Sequence, residues 1–116
     1  MPPRKTTVSP RKTRMSPIRE VPVTISVVKG KITGITPDPF LIHKHGDQDI
    51  RWICKPPQRF MVDFGNDSPF YQNQFSNNYP CSGLVKRELV PNPNKIYKYT
   101  VRIDRDSVDP TGGVDK

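Results

Sequence analysis

Over most of this chain hydrophobic and polar positions alternate one for one, and no stretch shows the three-to-four spacing of a helix. Val21, Val23, Ile25 and Val27 alternate with Pro22, Thr24 and Ser26, which predicts a strand with one buried face. Lys29-Gly30-Lys31 is a tight-turn signal, residues 32–35 return as a second strand, and Pro37-Asp38-Pro39 stops it. Residues 40–45 read as a third strand ended by Gly46-Asp47. Ile50, Trp52 and Cys54 share one face of a fourth strand, and Phe60, Val62 and Phe64 one face of a fifth. Pro56 and Pro57 break the chain between them, so the two are expected as neighbouring core strands around the only tryptophan. No period fits residues 65–83, a long polar and aromatic loop. Residues 84–90 predict a weaker sixth strand, and Pro91-Asn92-Pro93-Asn94 a turn. Tyr97, Tyr99, Val101 and Ile103 then give the cleanest alternation of all, and Asp109-Pro110-Thr111-Gly112-Gly113 marks its finish and a frayed end. About seven short strands without helical pattern predict an all-β sandwich or barrel. The expected layout is a disordered tail over residues 1–20, a β body over 21–110 and a flexible C-terminus over 111–116.

Composition separates the tail from the body. The 116 residues allow one domain with a workable core, and 14 prolines with 7 glycines favour turns over helices. The net charge of +8 is unevenly placed. Residues 1–20 hold Arg4, Lys5, Arg11, Lys12, Arg14 and Arg19 against Glu20 alone, a net +5, whereas the remainder carries only +3. Pro3-Arg4-Lys5-Thr6-Thr7-Val8-Ser9 is repeated as Pro10-Arg11-Lys12-Thr13-Arg14-Met15-Ser16, with a third copy begun at Pro17. A proline every seven residues denies this segment a continuous helix, and its few apolar groups deny it a core. Such a cationic arm holds phosphates through charge and counterion release, so nucleic acid or an acidic protein is its expected partner. Ser9-Pro10 and Ser16-Pro17 also resemble the sites of proline-directed kinases, and phosphate there would cancel part of the charge. The alternative is a solubilising tail with no fixed partner.

No run of about twenty apolar residues exists to span a membrane, and no apolar stretch follows the N-terminal basic residues as in a secretory signal. A cytoplasmic location is therefore expected, with Cys54 and Cys81 reduced and Cys54 a small core residue. An exported chain would instead make a single bridge between them.

Candidate chemistry is sparse. His43 and His45, two apart on a predicted strand, share a face that Cys81 might approach, a weak metal candidate without a fixed third ligand. Asp47 and Asp49 sit beside a turn, and Asp104, Asp106 and Asp109 at a frayed strand end, where carboxylates are solvated caps rather than paired acids. Cys54 alternates into the core, where a thiol is inert. No catalytic residue, cofactor or enzyme activity is expected. A binding module fits better. Arg51 and Lys55 project opposite to Trp52, as Lys98 and Arg102 do relative to the tyrosines, and in one sheet they would form a basic patch. Phe70, Tyr71, Phe75 and Tyr79 in the long loop are candidate base-stacking residues; their alternative role is to pin the loop to the body.

Pro37-Asp38-Pro39, the step from Lys44-His45-Gly46-Asp47 into Ile50-Arg51-Trp52, and Phe60-Met61-Val62-Asp63-Phe64 resemble the middle of a cupredoxin-like (plastocyanin-like) domain. Tyr97-Lys98-Tyr99-Thr100-Val101 with Asp109-Pro110 is similar to the last strands of small bacterial members that have lost their metal. The resemblance implies a single Greek-key β-sandwich. Type 1 copper takes two imidazoles, a thiolate and usually a thioether. Here no histidine follows either cysteine, and Arg59-Phe60 stands where the family places its first histidine ligand. The ligand set is absent. The expected function is a non-catalytic binding or accessory protein with a polyanion-binding tail. The second expectation is a protein-interaction domain using a loop or sheet edge with the tail as tether, and the third an exported metal-binding relative.

Overall fold

A computed structural model describes residues 18–116; the basic repeat, with Arg4, Lys5, Arg11, Lys12 and Arg14, lies outside them. The described residues are nearly all β. Ten strands follow in order: β1 (Arg19–Val28), β2 (Lys31–Thr36), β3 (Phe40–His43), β4 (Gln48–Lys55), β5 (Met61–Asp63), β6 (Gln74–Ser76), β7 (Tyr97–Lys98), β8 (Thr100–Ile103), β9 (Asp106–Val108) and β10 (Thr111–Asp115). They form three sheets, ordered β2-β1-β4, β3-β10-β7 and β6-β5-β8-β9.

The first hairpin follows from its turn. Val28 pairs with Lys31, and Lys29 and Gly30 both take positive φ, 52° and 77°, the primed geometry whose twist matches that of the strands it joins. Pro22 precedes Thr24, where the β2 ladder begins, so its missing N–H costs β2 no bond. On its other side β1 runs parallel to β4, from Arg19 beside Gln48 to Ser26 beside Lys55. Val23, Ile25 and Val27 of β1 and Ile50, Trp52 and Cys54 of β4 are buried together. Residues 80–82 extend this sheet. The Trp52 amide donates to Pro80 O (2.9 Å), the Ser82 amide to Ile50 O (2.8 Å) and the Ile50 amide to Ser82 Oγ (2.8 Å).

The core is aromatic. Trp52 stacks on Phe75 at 5.1 Å between ring centroids and meets Phe64 and Tyr99 edge-on at 6.0 and 5.9 Å, while Phe64 stacks on Tyr99 at 4.9 Å. Such pairs contribute about 0.5–1.5 kcal/mol each beyond the area they bury.

Several expectations change in three dimensions. The Trp52 and Phe64 strands bury the predicted faces, yet they belong to different sheets and meet ring to ring across the core instead of pairing. The third strand stops at His43, because residues 44–46 turn in a 3-10 helix. The strand predicted over 84–90 is a single bridge, Phe70 with Val85, followed by a turn. The run 97–103 is two strands broken at Tyr99, whose amide donates to Pro110 O (3.0 Å). β7 pairs with β10 and β8 with β5 and β9, so this run joins two sheets end to end. The predicted flexible end is the middle strand β10, parallel to β3 and antiparallel to β7. The body therefore extends beyond the expected 21–110 at both ends.

Candidate nucleic-acid interface

β5 lies between β6 and β8, antiparallel to both. Its alternation sends Val62 into the core and Met61 outward. Register then lays Ser76, Met61, Arg102 and Ser107 in one row across the outer face. The next row, Gln74, Asp63 and Thr100, is internally satisfied. Gln74 Nε2 donates to Asp63 Oδ2 (3.4 Å), and Thr100 Oγ1 to Asp109 Oδ1 (2.8 Å).

The first row opens into a cleft of about 660 Å³ lined by Arg59, Met61, Asn77, Asn78, Arg102 and Asp104, among others. Met61 and Ser76 also line an adjoining depression of about 240 Å³, walled by Gln72, Gln74 and Tyr79. The turn between them is braced: Ser76 and Tyr79 exchange both backbone bonds (3.2 and 3.0 Å), the Phe60 amide donates to Asn77 Oδ1 (3.4 Å), and the Asn78 amide donates to Ser76 Oγ (3.2 Å). Tyr79 stands off this turn with 75 % of its surface exposed.

The charges favour an anion. The described residues contain two ion pairs, Arg51–Glu20 at 3.5 Å and Lys95–Asp67 at 2.9 Å, and neither Arg59 nor Arg102 is in one. Most body carboxylates hold turns or neighbours. Asp38 accepts from the Thr111 amide, Asp106 from the Ile32 amide, and Asp63 from the Gly65 amide. A planar guanidinium left with free donors is well matched to phosphate oxygens.

The predicted basic patch is not one surface. Arg51 and Lys55 are on β4, Lys98 on β7 and Arg102 on β8, in three different sheets. Arg51 is further occupied by Glu20 and by Cys81 Sγ (3.3 Å). Arg19 opens β1, its amide donating to Asp47 O (3.0 Å). Of the four candidate stacking rings, Phe70 and Phe75 are buried at 0 % and 3 % exposure and pin the loop to the core, which removes them as stackers. Tyr71 is exposed, but its hydroxyl accepts the Arg87 amide (2.8 Å), bracing the neighbouring segment. Tyr79 is left. His43 and His45 are exposed but no longer share a strand face, since His45 lies in the 3-10 turn. No group of three or more His, Cys, Asp or Glu among the described residues is arranged to hold a metal ion.

Two acids and a thiol gather on the outer side of β4. Cys81 pairs with Arg51, so it faces away from Cys54 in the core, and both thiols are free. Cys81 Sγ donates to Glu20 Oε2 (3.4 Å); burial and then this bond hold the thiol protonated, outweighing the Arg51 charge. Cys54 is likewise held up by burial. Neither is poised as a nucleophile. Asp49, expected as a solvated turn acid, is buried with Oδ1 unpartnered among the described residues. Asp104, Asp106 and Asp109 belong to the β8–β9 hairpin and its flanks, not to a frayed end.

The residue that sequence reasoning passed over is Arg59. It stands two before Met61, the position of an outward side chain, but its meeting with Arg102 depends on the β5–β8 register, which alternation alone does not encode. No helix among the described residues is long and apolar enough to cross a membrane. Neither a protein-family model, nor a curated protein, nor a solved structure matches this chain.

Proposed function

We propose that this is a non-catalytic binding protein whose basic N-terminal segment engages nucleic acid or another polyanion. Its body reads as a single Greek-key β-sandwich of the cupredoxin-like kind, without copper. The observation that carries the reading is the charge layout: residues 1–17 hold five basic side chains and no acidic one. The body beside them commits most of its carboxylates to turns and ion pairs while leaving Arg59 and Arg102 outside any ion pair among the described residues. A repulsive, uncompensated cationic run is stabilised by a polyanion that releases counterions on binding. The test is affinity for mixed-sequence DNA and RNA at several salt concentrations. It compares the parent chain with one in which Arg4, Lys5, Arg11, Lys12 and Arg14 are all glutamine. With a slope of roughly 0.7 per phosphate contact on single strands, the variant should lose up to about 3.5 from the steepness of log K against log salt. A parent chain that binds neither polymer at low salt removes the reading.

A protein partner is the second reading. It is favoured by β6 and β9, which end the four-stranded sheet as edges, with the tail then serving as a tether.

A further inference from the structure

We propose that the outer face of β6-β5-β8 is a site for single-stranded nucleic acid, with Arg59 and Arg102 on the phosphates and Tyr79 stacked on a base. This rests on the polyanion reading above and gives it a place on the body. Three independent features converge there. The two guanidiniums line one cleft whose sole carboxylate is Asp104, and neither is in an ion pair among the described residues. The depression that adjoins this cleft across Met61 and Ser76 is walled by Tyr79, the most exposed aromatic ring of the body. That ring is carried on a turn fixed by four hydrogen bonds, so little order has to be imposed on it when a planar partner arrives. Beside it stands Gln72, whose side-chain amide makes no hydrogen bond among the described residues and can meet a base edge as donor and acceptor together, while Gln74 and Asn77 are held by Asp63 and by the Phe60 amide.

The chemistry selects the unpaired strand. Stacking on Tyr79 requires a base whose face is free, which a duplex does not offer, while every base in a single strand has one. Phosphate spacing along a flexible strand also lets one stretch reach both the arginine cleft and the tyrosine. An inorganic anion would not need the ring.

The experiment uses the full chain and dye-labelled oligothymidylate and oligouridylate, with a mixed-sequence duplex alongside, read by fluorescence anisotropy over several salt concentrations. Tyr79→Ala should weaken both single strands about 5- to 150-fold, Tyr79→Phe should restore most of that, and the duplex should move little. Arg59→Gln with Arg102→Gln should lower the salt slope by about 1.4 on single strands. All these side chains are exposed, and matching thermal melts will verify that the variants fold. If these variants bind like the parent while the five-glutamine tail variant loses affinity, this site is overturned and the tail reading stands. If single strand and duplex weaken equally, the stacking assignment is overturned. If the parent binds no probe at low salt, both readings fall.

Discussion

At the scale of the residue, Gly112 and Gly113 look alike in the sequence and differ sharply in place. A Cβ on Gly112 would run into the ring of Phe40, whereas one on Gly113 would meet Leu41 Cδ1 at an ordinary 3.7 Å. Gly112→Ala should cost about 1–3 kcal/mol through overpacking, and Gly113→Ala should stay within about 0.5 kcal/mol, as read by denaturant midpoints. Equal effects would refute the placement of β10. Tyr99 is buried with no hydrogen bond of good geometry to its hydroxyl among the described residues, the Trp52 indole N–H being only a weak neighbour, so Tyr99→Phe should stay within about 1 kcal/mol of the parent by the same midpoints. Asp49 gives a pH signature. Burial, then the Glu20 charge, raise its carboxyl above the ordinary 3.8. The folded chain thus keeps this proton to higher pH than the unfolded one, so the stabilisation is full below about 3.8 and is lost as pH rises through the folded value. Asp49→Asn, neutral throughout, should be at least as stable as the parent near neutrality and converge with it in acid. Thermal melts across that range decide it, and a variant that falls behind only at neutral pH would contradict it. None of these roles is written locally: Gly112-Gly113 reads as a turn, and Asp47-Gln48-Asp49 as a wet one, until distant residues close over them.

At the scale of the element, alternation was a sound guide to which face is buried and a poor one to which strands pair. The inward sets Val23/Ile25/Val27, Ile50/Trp52/Cys54 and Phe60/Val62/Phe64 are all buried. The partners are set by register and long connections, which a period of two does not carry. Residues 84–90 show the limit from the other side. Their apolar positions suggest a strand, but polar anchors fix them: the Lys86 amide donates to Pro69 O (2.9 Å), and Lys44 Nζ donates to Arg87 O and Leu89 O, both at 2.6 Å. A charged donor holding two carbonyls contributes about 1.5–3 kcal/mol. Lys44→Met should therefore destabilise the chain by an amount of that order, reduced by its solvent contact, and speed amide hydrogen exchange at residues 86–89 while sparing β1 and β4. Uniform acceleration throughout would assign Lys44 a different role. The candidate site was legible in the same uneven way. Tyr79 and Arg102 stand out as an exposed aromatic and an outward basic residue, Phe70 and Phe75 look identical to Tyr79 in a segment without period, and Arg59 gains its meaning only from the strand beside it.

At the scale of the whole molecule, charge and packing are divided between segments. The chain from Arg19 to Asp115 builds a strand body around Trp52, Phe64, Phe75 and Tyr99, and the sequence before it carries five positive charges and few apolar residues. On the proposed reading one ligand joins them: a strand of nucleic acid on the β6-β5-β8 face whose phosphates also meet the basic repeat. The most direct measurement is amide chemical-shift mapping of the full chain during titration with a short single-stranded oligonucleotide at low salt. The prediction is that shifts concentrate in residues 1–17, at Arg59 and Arg102, and over the turn from Ser76 to Tyr79, with β1 and β2 unmoved. Shifts confined to other faces of the body, or no shift anywhere, would contradict it.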